Sequence, residues 1–328
     1  MFKVYSRNEV SFQTIEKNGM KFENILATKN GFILSGHDHF IGSEEKARSE
    51  EIIHIEFDYN HGNYRMFYKG SSEILKQACW AINELNSGKY FSYNQQSILY
   101  GILIDCLNIT HHKSTVKRHS KLDGINSLST CCLDCEYCLK RMLDPDSICS
   151  HCYSETQQKT QLALQDRNTI NGIILRNIII PVWAWKKHFK REHLSKFFRI
   201  ESFGDVANKT QAVNYINFMK AFPRIHFAVW SKNIGIWNFA FIQEGKPANC
   251  SFVYSCNKVN NCELHMLQTY SFIDYIFTVY DKKYISLHNI TITCGGRSCM
   301  HDCIKRKTGC YFPRKEGEKP GIQNEELK

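Results

Sequence analysis

The sequence predicts an α/β protein in which a parallel sheet of βα units follows a small α+β domain. Beyond residue 155, segments with helical apolar spacing alternate with short apolar runs, as in βα units. Before residue 70, short strand-like runs are separated by turn residues and precede two helical segments. The 328 residues are 43% hydrophobic and 23% charged, which excludes collagen-like and disordered classes and allows roughly one to three domains.

Three regions are predicted: the α+β domain at residues 1–120, a cysteine-rich βα domain at 121–313, and a polar flexible tail at 314–328. Apolar spacing and turn residues place the elements of the first region: strands at 31–34, 52–59 and 64–68, and helices at 71–85 and 97–109. The same signals place those of the second: helices at 157–180 and 210–221, and strands at 197–202, 225–230, 251–255, 275–279 and 290–293.

Polar or reactive residues follow each of the five predicted strands of the second region. Ligands bind at the carboxyl ends of strands in parallel α/β architectures. Loops often begin with polar residues, but five such endings in series favour a site. The residues placed on this edge are Glu201, Ser202, Asp205, Ser231, Lys232, Asn233, Asn257, Asp281 and Cys294.

Cysteine is the unusual residue, with 15 in the chain. Six lie in residues 131–152, the first cysteine segment, and four in residues 294–310, the second. The N-terminus has no signal-peptide pattern, and the most apolar stretch, residues 173–185, is too short and polar to span a bilayer. We therefore expect a cytoplasmic protein without membrane contact, in which clustered reduced thiols bind metal. The five scattered cysteines are expected to be structural thiols.

Two chemistries fit the first cysteine segment. Cys135, Cys138, Cys149 and Cys152 form a C-x2-C…C-x2-C set that suits tetrahedral zinc. Alternatively, Cys138, Cys149 and Cys152 hold a [4Fe–4S] cluster with one iron left open.

The second cysteine segment has looser spacing, closer to irregular iron–sulfur loops than to a zinc knuckle. Gly295 and Gly296 would allow the backbone to wrap tightly around a cluster. Its candidate ligands are Cys294, Cys299, Cys303 and Cys310.

Positive charge is concentrated after residue 120. The net charge is +10, and residues 1–120 hold 14 basic and 13 acidic residues, which leaves 28 and 19 for the rest. In the stretch Trp183–Arg199, bases interleave with aromatics, as in proteins that bind single-stranded nucleic acid. The alternative is an amphipathic segment with a solvated basic face.

Several motifs resemble the mycobacteriophage gene-product-88 family over about residues 125–312, and more distantly radical S-adenosylmethionine enzymes. These motifs are Cys149-Ser-His-Cys152-Tyr-Ser, Phe198-Arg-Ile-Glu-Ser-Phe-Gly-Asp-Val206, Asn214-Tyr-Ile216, Phe227-Ala-Val-Trp-Ser-Lys-Asn233, Phe277-Thr-Val-Tyr-Asp281 and Cys294-Gly-Gly-Arg-Ser-Cys299. The resemblance implies a radical-SAM-like partial parallel βα barrel with an iron–sulfur cluster. The enzymes' usual loop is C-x3-C-x2-C, whereas here ten residues separate Cys138 from Cys149.

The same resemblance implies a binding edge for S-adenosylmethionine. Ser202, Gly204 and Asp205 stand where such enzymes contact the cofactor's amino group, with Asn233 and Asn257 on neighbouring strand ends. Glu201, Asp205 and Lys232 are then the candidate catalytic residues, orienting cofactor or substrate.

The first hypothesis is therefore an iron–sulfur protein of phage type, and a radical enzyme if it is catalytic. The second is a zinc-stabilised nucleic-acid-binding protein without catalysis, and a third is a metal-stapled structural or host-interaction protein. The chain contains no Walker phosphate loop, no G-x-G-x-x-G that opens a helix and no G-x-S-x-G turn. Nucleotide hydrolysis and serine-hydrolase chemistry are disfavoured.

Overall fold

Six strands near the N-terminus form two small antiparallel sheets. The computed structural model describes residues 69–114, 121–294, 299, 303–305, 307, 309–315 and 317–327. Side chains are described from residue 73 onward, except that of Leu162. Before residue 69, only the backbone of the strands is described. One sheet has the order β1-β5-β6 and the other β2-β3-β4. These strands are β1 (Lys3–Ser6), β2 (Val10–Lys17), β3 (Met20–Thr28), β4 (Ile33–Leu34), β5 (Ile52–Asp58) and β6 (Asn63–Tyr68).

The remaining seven strands form one mostly parallel sheet. They are β7 (Thr110–His111), β8 (Asn126–Leu128), β9 (Phe197–Ile200), β10 (His226–Ser231), β11 (Cys250–Ser255), β12 (Tyr275–Tyr280) and β13 (Gly321–Glu326). Strands β8 to β13 are parallel and lie side by side in chain order, and β7 pairs antiparallel with β8 at one edge. The carboxyl ends of six successive strands therefore share one edge.

Ten α-helices connect or flank these strands in the described residues. They are α1 (Lys69–Leu85), α2 (Tyr93–Cys106), α3 (Glu136–Met142), α4 (Tyr153–Thr160), α5 (Leu162–Asn177), α6 (Val182–His188), α7 (Lys209–Ala221), α8 (Ile234–Glu244), α9 (His265–Thr269) and α10 (Lys282–His288). Polar caps fix several helix starts. Ser92 and Gln95 form a capping box at α2, and the side chains of Asn208 and Asp281 cap α7 and α10. None of these helices is long and apolar enough to cross a membrane.

The two faces of the large sheet are covered differently. On one face, alternate strand residues such as Phe198, Phe227 and Phe252 pack into the main core with the helices. The opposite face carries Phe197, Ala228, Val253 and Phe277, and it is covered by Cys310, Tyr311 and their neighbours. Parallel strands in chain order with crossovers of one hand place their helices on one face. The other face is left for the second cysteine segment.

The α/β class, with a mostly parallel sheet and helices, is confirmed. The sheet ends at β13 and β7, which do not pair with each other in the part of the chain that is described. Closure toward a partial barrel therefore remains a prediction. The expected helix at 157–180 is two helices, which meet at Gln161.

The strand expected at 290–293 is wrong. Thr293 and Cys294 both donate their backbone N–H to the Asn324 carbonyl, at 3.0 and 2.8 Å, so the chain meets β13 at one point instead of pairing along it. Strand β13 lies within residues 314–328, which the sequence analysis treats as a tail. Its polar sequence has no alternating apolar pattern, and pairing with β12 depends on backbone hydrogen bonds.

Residues 69–114 contribute to the same core as the cysteine-rich region. Leu75, Ala78 and Leu103, from α1 and α2, are fully buried in that core together with Ile174 of α5. Strand β7 extends the large sheet. The predicted boundary at residue 120 therefore does not separate this part of the chain from the α/β core.

Candidate functional site

The first cysteine segment begins where β8 ends, at the carboxyl edge of the sheet. Ser129 and Thr130 follow the strand, and Cys131 and Cys132 come next. A 3-10 helix (Cys132–Asp134), helix α3 and a second 3-10 helix (Ile148–His151) lead to α4. The segment therefore folds as short helices beside the ends of β9, β10 and β11.

Three hydrogen bonds fasten this segment to neighbouring strand ends. The Tyr153 hydroxyl donates to the Ser202 carbonyl after β9, at 2.8 Å. The Tyr137 hydroxyl donates to the Lys232 carbonyl after β10, at 2.9 Å. After β11, the Asn257 carbonyl accepts the backbone N–H of Ile148 at 2.8 Å. The cysteines are thereby held over the edge that the sequence predicts as a binding edge.

The six cysteines of the first segment form no disulfide among the described residues, and four of them form two interacting pairs. Cys132 shares a hydrogen bond with Cys152, and Cys135 shares one with Cys138. Among the described residues, no three or more His, Cys, Asp or Glu side chains are arranged to hold a metal ion. Ligation by three or more of these thiols would therefore require side chains to move from these positions.

Each pair favours one thiolate. The hydrogen bond from Cys132, helped by the backbone N–H groups of Glu155 and Ser154, lowers the pKa of Cys152 to about 6. Cys152 is also the N-cap of α4, where a helix N-terminus favours negative charge. In the second pair, the hydrogen bond from Cys138 lowers the pKa of Cys135. Metals bind thiolates, so both pairs suit ligation chemically.

Cys149 has a different environment. Burial raises the pKa of its thiol, while the nearby Lys232 ammonium opposes that rise. The Lys232 Nζ itself donates to Ser255 Oγ at 2.6 Å and to the Cys256 carbonyl at 2.8 Å. Lys232 therefore bridges the ends of β10 and β11 and brings a positive charge to the cysteine segment.

Asp205 is the buried acid of this edge. Its carboxylate accepts the backbone N–H groups of Val206 and Lys232, at 2.7 and 2.8 Å, and the Ser231 hydroxyl. Burial raises the pKa of Asp205 to about 6, although these hydrogen bonds favour the ionised form. Asp205 lies close enough to Cys135 and Cys138 for its charge to raise the pKa of both thiols.

The Glu201 carboxylate is held inside the fold. It accepts hydrogen bonds from the Thr130 backbone N–H at 3.0 Å, the Thr130 hydroxyl at 2.8 Å, Gln211 Nε2 at 2.7 Å and the Tyr215 hydroxyl. Glu201 is 3% exposed and has a positive φ of 54°. Its carboxylate thus ties together β8, β9 and α7, and we assign it a positioning role.

Ser202, Asn233 and Asn257 also lie at the predicted edge. Ser202 Oγ shares hydrogen bonds of 2.9 Å with the hydroxyls of Ser127 and Ser129. Asn233 Nδ2 donates to the Val206 carbonyl at 2.9 Å, and Asn257 Nδ2 donates to the Tyr254 hydroxyl at 2.9 Å. The Asn257 Oδ1 atom is buried and accepts no hydrogen bond from any residue that the structure describes.

The thiols of the second cysteine segment lie near one another beside the sheet face that carries Phe197, Ala228, Val253 and Phe277. Burial raises the pKa of Cys294, Cys310 and Cys299, the last to about 12, and neighbouring cysteines, Cys303 among them, raise each further. Gly309, at φ +82°, lies against Cys303, since a Cβ there would be 3.0 Å from the thiol.

Arg199 supplies positive charge to these thiols. Its guanidinium lies 4.0 Å from the Trp230 ring centroid, and its charge opposes the rise in pKa of Cys294, Cys299 and Cys310. The sequence grouped the cysteines but gave no sign of this partner, because Arg199 lies inside a strand. Of the residues predicted to share one edge, Cys294 lies apart, beside β13.

The aromatic residues of the basic stretch face the interior. Trp185 and Phe189 are buried in the main core, and Trp183 packs against Tyr93 at 4.9 Å between ring centroids. Trp185 and Phe189 are therefore not available to stack on nucleic-acid bases. The exposed residues of this stretch are Lys186, Lys187, Lys190, Arg191, Glu192 and Lys196.

Two kinds of residue at the first segment could not be identified from the sequence. Cys132 belongs to neither predicted ligand set, yet it interacts with Cys152 from the other end of the segment. Tyr137 and Tyr153 anchor the segment, and their position directly beside cysteines was the only available signal.

The fold and site define a cysteine-rich α/β protein. Its thiols are grouped at the carboxyl edge of a mostly parallel sheet and beside the sheet face that carries Phe197 and Phe277. The chain belongs to the gene product 88 family, whose model matches residues 106–323. Comparison with curated proteins and with solved structures gives no match.

Proposed function

We propose that this protein binds a [4Fe–4S] cluster through the first cysteine segment, with zinc as the alternative metal. The observation that carries the proposal is the position of six cysteines, none of them in a disulfide among the described residues, just after the carboxyl end of the first parallel strand. Candidate ligands are Cys138, Cys149 and Cys152, with Cys135 as a fourth. The pairing of Cys132 with Cys152 adds Cys132 to this set.

The donor set fits the chemistry of such a group. Thiolates bind iron and zinc, and each interacting thiol pair favours one deprotonated sulfur. The N-terminus of α4 at Cys152 and the Lys232 ammonium beside Cys149 offset the negative charge that several thiolates bring together. A bound iron–sulfur cluster would supply one-electron transfer, and these residues would hold it and balance its charge.

A finer proposal is that the same edge binds S-adenosylmethionine, as the resemblance to radical enzymes implies. The charges of Asp205 and Lys232 act on thiols of the first segment, and Ser202, Gly204, Asn233 and Asn257 lie on adjacent strand ends. The buried Asn257 Oδ1 accepts no hydrogen bond from the described residues, so it is an acceptor left for a ligand. Glu201 would support this edge from within, because its carboxylate is occupied by protein donors.

The second cysteine segment is proposed as a second metal site, for a cluster or zinc, with Cys294, Cys299, Cys303 and Cys310 as ligands. Arg199 and Lys121 would offset the charge of its thiolates, since both positive charges oppose the rise in pKa that burial causes at Cys294 and Cys299.

Anaerobic purification followed by iron, acid-labile sulfide and zinc analysis tests the proposal. We expect a brown protein with iron and sulfide, and a loss of most of that iron in C138S, C149S and C152S. C79A, with its change in α1 outside both segments, should retain the metal of the parent. A colourless protein with stoichiometric zinc would show that the bound metal is zinc and not iron. Absence of both metals would refute metal binding.

The competing function is nucleic-acid binding by a zinc-stabilised protein. Exposed Lys186, Lys187, Lys190 and Arg191 form the basic surface on which it rests. Phosphate contacts would make binding weaken steeply with salt. Failure to bind single-stranded or duplex nucleic acid even at low salt would exclude this function.

A further inference from the structure

Cys256 and Cys262 form a thiol pair outside both cysteine segments. Cys256 follows directly after β11 and is buried, whereas Cys262 lies further along the next loop and is half-buried. The two thiols lie within interaction distance, since the backbone N–H of Glu263, the residue after Cys262, donates to Cys256 Sγ at 3.4 Å. Both belong to the scattered cysteines that the sequence analysis expects to be structural.

The two sulfurs have unequal surroundings. Cys256 Sγ accepts the Glu263 backbone N–H at 3.4 Å and the Thr278 hydroxyl at 3.3 Å. The hydrogen bond from Cys256, with further ones from Thr278 and Tyr280, lowers the pKa of Cys262 to about 6. The shared hydrogen bond and burial raise the pKa of Cys256. These surroundings favour the thiolate at the less buried sulfur, Cys262, and the protonated thiol at the buried sulfur, Cys256.

We propose that Cys256 and Cys262 are a redox-active dithiol, which low-molecular-weight disulfides oxidise to an intramolecular disulfide. The arrangement gives each thiol a distinct role: the accessible Cys262 attacks, and the buried Cys256 resolves. Exchange of this kind proceeds through a mixed disulfide, and its rate rises with the thiolate fraction of the attacking sulfur.

The reaction balances with glutathione disulfide as oxidant. The Cys262 thiolate attacks one sulfur of that disulfide, forms a mixed disulfide and releases one glutathione thiolate. Cys256 then loses its proton, and its sulfur displaces the second glutathione thiolate. Two protein thiols are oxidised and one disulfide is reduced to two thiols, with no other reactant.

The loop between these cysteines also contacts the first cysteine segment. The Asn257 carbonyl accepts the Ile148 backbone N–H at 2.8 Å, and the Cys256 carbonyl accepts Lys232 Nζ at 2.8 Å. The dithiol therefore lies next to the candidate metal site, but it shares no thiol with that site. The proposal does not require that the first segment bind metal.

The test treats the full chain with glutathione disulfide under anaerobic conditions, blocks remaining thiols with N-ethylmaleimide and maps peptides by mass spectrometry. We expect a disulfide that joins Cys256 to Cys262, lost on reduction. C256S should stop at a glutathione adduct on Cys262, because the resolving thiol is missing. C262S should leave Cys256 unmodified, because the buried thiol is not accessible. C79A should form the disulfide as the parent does.

Alkylation of both Cys256 and Cys262 after oxidation would overturn the proposal. A stable glutathione adduct on Cys262 in the parent protein would also overturn it, since resolution by Cys256 would then not occur. If C256S does not fold, C262S and the parent still decide the result, because Cys262 lies at the margin of the core and serine is close to cysteine in size.

Discussion

Glu201 and Thr130 join the ends of two neighbouring parallel strands. Glu201 Oε2 accepts the Thr130 backbone N–H at 3.0 Å, and Oε1 accepts the Thr130 hydroxyl at 2.8 Å. Thr130 immediately precedes the first cysteine segment, and Glu201 immediately follows β9. This pair therefore sets where the cysteine segment leaves the sheet.

Replacing Gly204 should disrupt this junction. A Cβ at Gly204 would lie 2.6 Å from the Thr130 carbonyl oxygen, 2.8 Å from Thr130 Oγ1 and 2.9 Å from Glu201 Oε2. We expect G204A to lower the free energy of unfolding by about 1–3 kcal/mol, the usual range for overpacking. Urea denaturation measures this change.

Gly235, in α8, provides the matched control. A Cβ at Gly235 meets no atom within 4 Å. We expect G235A to be neutral or to stabilise the protein by up to about 1 kcal/mol, since alanine favours a helix over glycine. Equal effects of G204A and G235A would contradict the close contact at Gly204.

Removing the Tyr153 hydroxyl should loosen the first cysteine segment. Y153F removes the donor of the 2.8 Å hydrogen bond to the Ser202 carbonyl while it keeps the ring. We expect a loss of about 1 kcal/mol in the free energy of unfolding, typical of one hydrogen bond. Y90F is the control, because the side chain of Tyr90 is 96% exposed. Unchanged stability of Y153F in urea denaturation would argue against this anchor.

Asp205 should make stability depend on pH. Its pKa is about 6 in the folded protein, whereas an unfolded aspartate titrates near 3.9. The folded state thus holds the proton more tightly, so this contribution to stability is complete below about pH 4 and is lost as the pH rises through 6. The expected loss is on the order of 2–3 kcal/mol.

Comparison with D205N isolates this effect. The amide does not titrate, so its altered hydrogen bonds change stability by an amount that does not vary with pH. Urea denaturation at pH 4.5 and pH 7 should show that the parent loses more stability than D205N over this interval. Parallel pH profiles for the two proteins would contradict a raised pKa for Asp205.

Much of the sheet could be predicted because its strands are short apolar runs bounded by turn residues. Strands β9 to β12 lie within about two residues of the predicted ranges, as expected for elements buried on both faces. Strand β13 could not be predicted, because an edge strand needs only backbone pairing and its polar residues carry no pattern. The sequence left two interpretations of the basic stretch open, because spacing does not say which side of a short helix is buried.

The sequence by itself determined the α/β class, the grouping of ten cysteines into two segments and the polar strand ends, since composition and local periodicity fix these features. Only the tertiary structure decided which thiols meet. Cys132 reaches Cys152, and Cys256 reaches Cys262, because loops fold back at strand ends. In the same structure the Glu201 carboxylate lies inside the fold, where Thr130, Gln211 and Tyr215 donate hydrogen bonds to it. Such pairings depend on contacts between segments that are distant in the sequence, and local sequence patterns do not predict these contacts.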